Sequence, residues 1–490
     1  MLPPSLDSIA TDLRASFRSF VAADASCTEL PELLTAEEMV TEFVRALGRG
    51  MLQDFADVRL EQAMASRERC SCGRLRESLK KKSWPHSTPC GDIEVTDPYT
   101  YCRTCKSSAR PAQAWLGTEK ERWSLLVQEF AIDFAADESC ERAVAKLERH
   151  HPGIEMGRTT ALRLLHEHGA EARKFIDAKH KKAVSDYLKE GSGRSVAPEV
   201  EVQYDGGMVP VATLETIAVE EGKAPELTPV RGLPKRRKVT AYQEVKAGLA
   251  ERPGQDERHY CARPTDQLDA CFKDLFAIAC IEGWDQSTQT RGISDGAIYI
   301  RPRMEDCFDV GNFRFILDRP HCKEHLSAAG TVLEKKTGVA AQQWATQALE
   351  KAEAGHADEI VAELTAAHEE VLAERAGAIA DKHPSLFTEE ECERLRLEAG
   401  YFERNKDATA YAEYRDCGWS TASSEIESAH DHLVQARMKI SGAWWHPDNV
   451  DNILALRLLK ANGWWLDYWA HRRSVWRDKA SVLAASRPTA

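Results

Sequence analysis

No stretch of roughly 18 consecutive apolar residues occurs in this chain, so no membrane-spanning helix is expected. Met1 to Thr11 holds no basic segment followed by an apolar run, so no secretory signal is expected either, and the chain reads as cytoplasmic. No internal repeat of fixed period is present. An excess of positive charge is missing as well: the net charge is -13, which on its own argues against a nucleic-acid partner. That average conceals segregation. Acidic residues concentrate in 350–375 and 388–398, while basic residues gather in Arg67–Lys82, Arg142–Arg173, Lys179–Lys182 and Lys235–Lys238.

What is present is an ordinary globular balance, 43% hydrophobic and 29% charged, over 490 residues. That length suits about three or four domains. Of 14 cysteines, Cys271, Cys280 and Cys307 stand singly in apolar, helix-like surroundings and read as buried free thiols of a reducing compartment. The exception is a cluster between Cys70 and Cys105.

Along the chain, residues 35–66 carry helical apolar spacing (Met39, Phe43, Leu47, Leu52), with Thr35 and Glu38 as a capping box. Residues 67–110 lose periodicity and read as a small metal-type module. Helices are predicted over 119–136, 138–149 and 158–168. The second and third are joined by a Gly-containing turn in a helix-turn-helix pattern, and the third ends at Gly169. A Gly/Ser/Pro linker, Gly191–Pro198, marks a boundary. From 199 the period becomes 2, and strands are predicted near 199–205, 208–218, 239–247 and 257–261. A helix over 264–283, a strand ending at Asp295 and a strand from Phe313 to Leu317 follow. Residues 320–416 read as helical, as do 424–440 and 447–462.

Three carboxylates stand where a metal-dependent nuclease would use them. Asp205 and Asp295 each end a predicted strand and precede glycine, which allows a sharp turn there. Glu427 lies in the first turn of a helix. In-line phosphodiester chemistry needs both the attacking and leaving oxygens stabilised, which two Mg²⁺ ions held by hard oxygen ligands accomplish. Taken singly, an Asp before Gly is more often a turn residue and an early-helix Glu a favourable dipole placement; the surrounding motifs sharpen the reading.

Those surroundings are four segments: Val202-Gln203-Tyr204-Asp205-Gly206-Gly207-Met208-Val209-Pro210; Ile293-Ser294-Asp295-Gly296-Ala297-Ile298-Tyr299-Ile300; Phe315-Ile316-Leu317-Asp318-Arg319-Pro320-His321; and Glu425-Ile426-Glu427-Ser428-Ala429 followed by Arg437-Met438-Lys439, Ser441-Gly442 and Trp445. In order and spacing they resemble the ISKra-type insertion-sequence transposases of bacteria, and more loosely the DDE group that includes Mutator-like elements. The likeness covers roughly 35–470. It implies an α+β multidomain protein with an RNase-H-like mixed-sheet core, a helical insertion and a triad Asp205, Asp295, Glu427 binding two Mg²⁺ (or Mn²⁺) ions. Asp318 and His321 match the family's Asp-x-x-His signature, with His321 counted among the catalytic residues. The implied activity is cleavage of element ends and strand transfer into target double-stranded DNA by a dimer or larger homo-oligomer. Three features differ from the family: Ala422-Ser423-Ser424 stands where Gly-Ser-Gly is usual, Glu425 adds a carboxylate two residues from Glu427, off its helix face, and the segment from Pro210 to Gly222 fits the family poorly. An alternative is a domesticated, catalytically inactive transposase that binds DNA; another is a nuclease that cuts without joining.

Cys70, Cys72, Cys102 and Cys105 form two close pairs suited to structural Zn²⁺, with Cys90 as a substitute ligand because Cys70-Ser71-Cys72 is tighter than a usual knuckle. Arg158, Thr159, Thr160 and Arg163 open the third helix of the helix-turn-helix region and face DNA in this reading. Lys235, Arg236, Arg237 and Lys238 read as a phosphate clamp or a solvated turn, and Arg437 and Lys439 as backbone contacts beside Glu427. The expected organisation is a helical region over 1–66, a zinc-ribbon-like module over 67–112 and a helix-turn-helix region over 113–192. The catalytic core follows in two parts, 199–325 and 421–475, around a helical insertion at 326–420, with a tail at 476–490.

Overall fold

The computed structural model describes residues 6–24, 33–65, 69–70, 72–110, 115–116, 121–189, 193–217, 228, 234–308 and 312–485. Chain contacts divide it into two compact units, one of Met1–Phe130, Ala145–Met156 and Arg473–Ala490, the other of Ala131–Val144 and Gly157–Arg472. No helix among the described residues is long and apolar enough to cross a membrane.

The first unit holds α1 (Leu6–Asp24), α2 (Leu33–Ala65) and a three-stranded antiparallel sheet of β1 (Glu77–Thr88), β2 (Gly91–Cys102) and β3 (Ser107–Ala109). One face of α2 buries Ala56 and Leu60 against Trp84, Ile93 and Val95 of the hairpin. Thr35 lies inside α2 rather than at its cap, since the helix already runs from Leu33. The 12-residue strands of the cysteine-rich segment were hidden by Pro85 and Pro98, which argue against strands. Both are tolerated, because β1 is an edge strand and β2 meets β3 only at Thr100–Cys102.

The second unit is built on a five-stranded mixed sheet in the order β6-β5-β4-β7-β8. Its strands are β4 (Glu199–Thr216), β5 (Arg236–Glu251), β6 (Arg258–Pro264), β7 (Gln289–Ser294) and β8 (Phe313–Leu317). The first three pair antiparallel; β7 runs parallel to β4, and β8 parallel to β7. Val200, Val202, Tyr204, Ile293, Ile316 and Leu317 are buried in its core. Tyr204 stacks at 4.4 Å on Phe272 of a helix spanning Leu268–Ile281. Helices of the 319–416 stretch, among them Arg319–Thr337, Ala341–Glu353, Ala357–Ala380 and Glu389–Asn405, share this core through Leu326, Trp344, Leu364 and Phe402. The chain returns to the sheet with a helix that we label α3 (Ser424–His430), which continues through a wide π turn (Asp431–Gln435) to Ala436–Met438.

Two expectations fail for the same reason. β4 does not end at Asp205: it runs unbroken to Thr216, with Asp205 opposite Ala247 and Gly206 opposite Lys246. Likewise the helix opening at Arg158 does not stop at Gly169 but reaches Leu188. These glycines serve close approach, not termination. A Cβ on Gly169 would sit 2.4 Å from the Asn452 carbonyl oxygen, and one on Gly206 2.5 Å from Lys246 Nζ. Asp295 does follow the last residue of β7, and Gly296 takes φ +77 as a true turn residue.

Candidate functional site

Strand register assembles the site. Tyr204 of β4 pairs with Ser294 of β7, and Ser294 with Leu317 of β8. The residues that follow, Asp205, Asp295 and Asp318, therefore occupy one level on three neighbouring parallel strands, although they lie far apart in sequence. The fourth carboxylate arrives on α3, which docks along β4. Gln203 Oε1 accepts the Ile426 amide at 3.0 Å, and His430 lies against Gly207. Glu427 sits between these two contacts, on the Asp205 side.

The start of α3 is fixed by tertiary rather than local caps. Ser423 makes no side-chain cap within its own helix. Instead its amide and hydroxyl donate to Asp318 Oδ1 at 2.6 and 2.9 Å. The other Asp318 oxygen accepts the His321 amide at 2.9 Å and His321 Nδ1 at 2.7 Å, which also caps the helix from Arg319. With these donors on both oxygens, Asp318 is saturated although it is fully buried. Burial alone would raise its carboxyl pKa, but the donors from His321 and Ser423 prevail and hold it below the ordinary value. Ser423, the middle residue of Ala422-Ser423-Ser424, is thus used structurally, whereas the departures from Gly-Ser-Gly are Ala422 and Ser424 on either side of it.

The hydrogen bond to Asp318 lifts the His321 imidazole to about 9 against the opposing effect of burial, with Asp295 and Asp205 adding to the field. His321 is therefore an imidazolium at neutral pH. Glu427 moves away from a free carboxylate: burial, then the charges of Asp318 and Asp205, raise it, while His321 lowers it. The closest set of ligand-type atoms here is Asp318, His321 and Glu427, all within 4.8 Å of one another. Asp205 and Asp295 are felt electrostatically by that set but are not in it. Asp295 Oδ1 accepts the Ala297 amide at 2.9 Å. Glu425 is separated from this group by its own ion pair with Arg258. That contact sits beside Glu251, whose carboxyl burial pushes up to about 7 against the charge of Arg258.

The remaining sequence candidates divide. Arg437 is buried, donates to the Ala135 carbonyl at 3.0 Å and lies 4.6 Å over the Trp445 ring, so it is not placed to meet a DNA backbone. Lys439 is exposed nearby, bonded to Gln435 Oε1 at 3.3 Å. Arg158 and Thr159 are exposed, Thr160 is half-buried and Arg163 pairs with Glu167 at 2.7 Å. Lys235 precedes β5, and Arg236, Arg237 and Lys238 belong to that strand rather than to a turn. Arg237 faces Glu215 at 3.7 Å, and Lys238 Nζ stands 4.4 Å from the Trp444 ring. Sequence reasoning missed His430 and Gln203; their signal was the i, i+3 spacing of Glu427 and His430 and the two-residue step from Gln203 to Asp205.

In the first unit, the Sγ atoms of Cys70, Cys72, Cys102 and Cys105 lie within 4.8 Å of one another, a donor set able to hold zinc. Cys72 and Cys102 approach to 3.7 Å. Crowding shows in the thiols: contact with Cys72 pushes Cys105 up to about 12. Cys90 is elsewhere, against α2 at Gly48, and is not a member. No protein-family model matches the chain, and no curated protein matches it in sequence.

Proposed function

We propose that the chain is a DDE-type transposase that cuts the ends of a mobile element and joins them to target DNA. The observation that carries this is the single level of Asp205, Asp295 and Asp318 on three parallel strands, met by Glu427 from α3. Three antiparallel strands followed by two parallel ones, in the order β6-β5-β4-β7-β8, is also the arrangement expected of an RNase-H-like core.

The donor chemistry fits a hard divalent cation: carboxylate oxygens of Asp205, Asp295 and Glu427, among which no side-chain amine or guanidinium of the described residues forms an ion pair. In this reading Asp318, which already accepts from Ser423 on one oxygen and His321 on the other, holds His321 and α3 rather than the cation. When bound there, Mg²⁺ or Mn²⁺ supplies charge stabilisation for both the attacking and the leaving oxygen. The protein's own part follows from its geometry. His321, protonated and anchored through Nδ1, presents its other N–H to a phosphate oxygen and balances the carboxylate cluster. Gln203 and Asp318 fix the N-terminus of α3 and hence Glu427. Lys439 and Arg158 offer exposed charge to the DNA backbone. The cluster of Cys70, Cys72, Cys102 and Cys105 holds structural zinc.

The test incubates purified protein with DNA carrying the element's own ends and Mg²⁺, wild type against Asp205→Ala. End-specific cleavage lost in the variant supports the proposal. Cleavage of intact ends together with failure to join a precut end moves the reading to a nuclease. Binding without cleavage in either protein moves it to a DNA-binding descendant, and no binding overturns it.

A further inference from the structure

His430 stands one helical turn beyond Glu427, on the face of α3 that meets β4. Its ring is 4% exposed and lies against Gly207, two residues from Asp205 on the same side of the strand; a Cβ on Gly207 would fall 2.8 Å from Nδ1. The main-chain carbonyl of Asp205 is close enough to act on the ring as a hydrogen-bond acceptor, yet neither Nδ1 nor Nε2 reaches full hydrogen-bond geometry among the described residues. A buried imidazole without a partner carries a cost that Leu or Phe at the same place would not. The helix also departs from α geometry immediately after it, in the π turn Asp431–Gln435, a distortion frequently met at functional sites. Gly207, which has no side chain and so makes room for the ring, points the same way.

We propose that His430 is a positioning residue for Asp205, donating an N–H to that carboxylate when a divalent cation is bound. The inference rests on the metal reading of Asp205 given above. Ligating carboxylates are held by donors behind them, and loss of such a donor costs about 10–100-fold in metal affinity. His430 stands against Asp205, and with one ring nitrogen at most engaged by the Asp205 main chain the other is left as a donor without a partner among the described residues. The packing at Gly207 sets the ring's height on the strand.

The experiment measures Mn²⁺ binding to the full-length protein by electron paramagnetic resonance, with thermal unfolding alongside. Variants are His430→Leu, His430→Gln, Gly207→Ala and Asp205→Ala. Expected is an about 10–100-fold weaker Mn²⁺ affinity in His430→Leu with a melting temperature unchanged or raised. His430→Gln, which keeps an N–H, should recover part of the affinity. Gly207→Ala, which displaces the ring, should weaken binding with His430 still present. Wild-type affinity in His430→Leu, while Asp205→Ala loses binding, would overturn the role of His430 and leave the metal site standing. An equal loss in His430→Leu and His430→Gln together with a fall in melting temperature would also overturn it, in favour of plain packing. Wild-type protein that binds no Mn²⁺ would overturn both this inference and the metal reading beneath it.

Discussion

Replacing Asp318 by Asn is the sharpest test of how the site is held. The carboxylate accepts Ser423 N and Oγ on one oxygen and His321 N and Nδ1 on the other. Asparagine keeps one acceptor oxygen. If that oxygen serves Ser423, its NH₂ confronts two His321 donors; turned round, it confronts two from Ser423. Either way two hydrogen bonds to a charged acceptor are lost at a fully buried position. Each is worth about 1.5–3 kcal/mol, and some relaxation is expected, so the local loss is about 3 kcal/mol. At about 1.4 kcal/mol per factor of ten this is roughly a hundredfold loss of protection in amide exchange. Hydrogen–deuterium exchange should show it in peptides covering 419–427 and 318–323, with β5 peptides unchanged as the internal reference. Protection within about threefold of wild type in both peptides, under 1 kcal/mol, would refute the claim that Asp318 holds the start of α3.

Further outcomes follow from the same contacts. His321 should titrate near 9 by NMR in the wild type and move toward the ordinary histidine value of about 6.5 in Asp318→Asn. With its folded pKa raised, its contribution to stability is fully present below about 6.5 and fades as pH rises through about 9, while that of Asp318, with its pKa depressed, fades only as pH falls through the acid range. Cys102→Ser should lower bound zinc, measured by metal analysis of purified protein, whereas Cys90→Ser should retain it. Arg437→Ala should cost about 2–4 kcal/mol in denaturant unfolding through lost packing on Trp445 and an orphaned carbonyl, and should leave the salt dependence of DNA binding unaltered. Gly169→Ala should destabilise by about 1–3 kcal/mol in the same assay, because the Asn452 backbone leaves no room for a methyl group.

Much of the fold was legible in the chain. The period-2 alternation of Val200, Val202 and Tyr204, the short strand Phe313–Leu317 and the helical run from 320 to 416 are local patterns, and local patterning of apolar residues selects the element. The gathering of Cys70, Cys72, Cys102 and Cys105 into one group able to hold a metal was legible too, since such a group announces itself by residue type and spacing. What sequence could not supply was the meaning of a glycine. Gly206, Gly207 and Gly169 look like stops, but each lies inside its element: the Asn452 backbone leaves no room for a Cβ on Gly169, the His430 ring packs on Gly207, and the Lys246 side chain lies over Gly206. Nor could it tell Arg437 from Lys439, two cations two residues apart at the end of the helical run, of which one is sealed under Trp445 and the other is in solvent. The sequence by itself determined which carboxylates were available and which elements carried them. Only tertiary structure decided that three aspartates share one level, because that depends on the register between strands. It also decided that the charge of Asp318 is committed to Ser423 and His321, because hydrogen-bond saturation is a property of neighbours far apart in the chain.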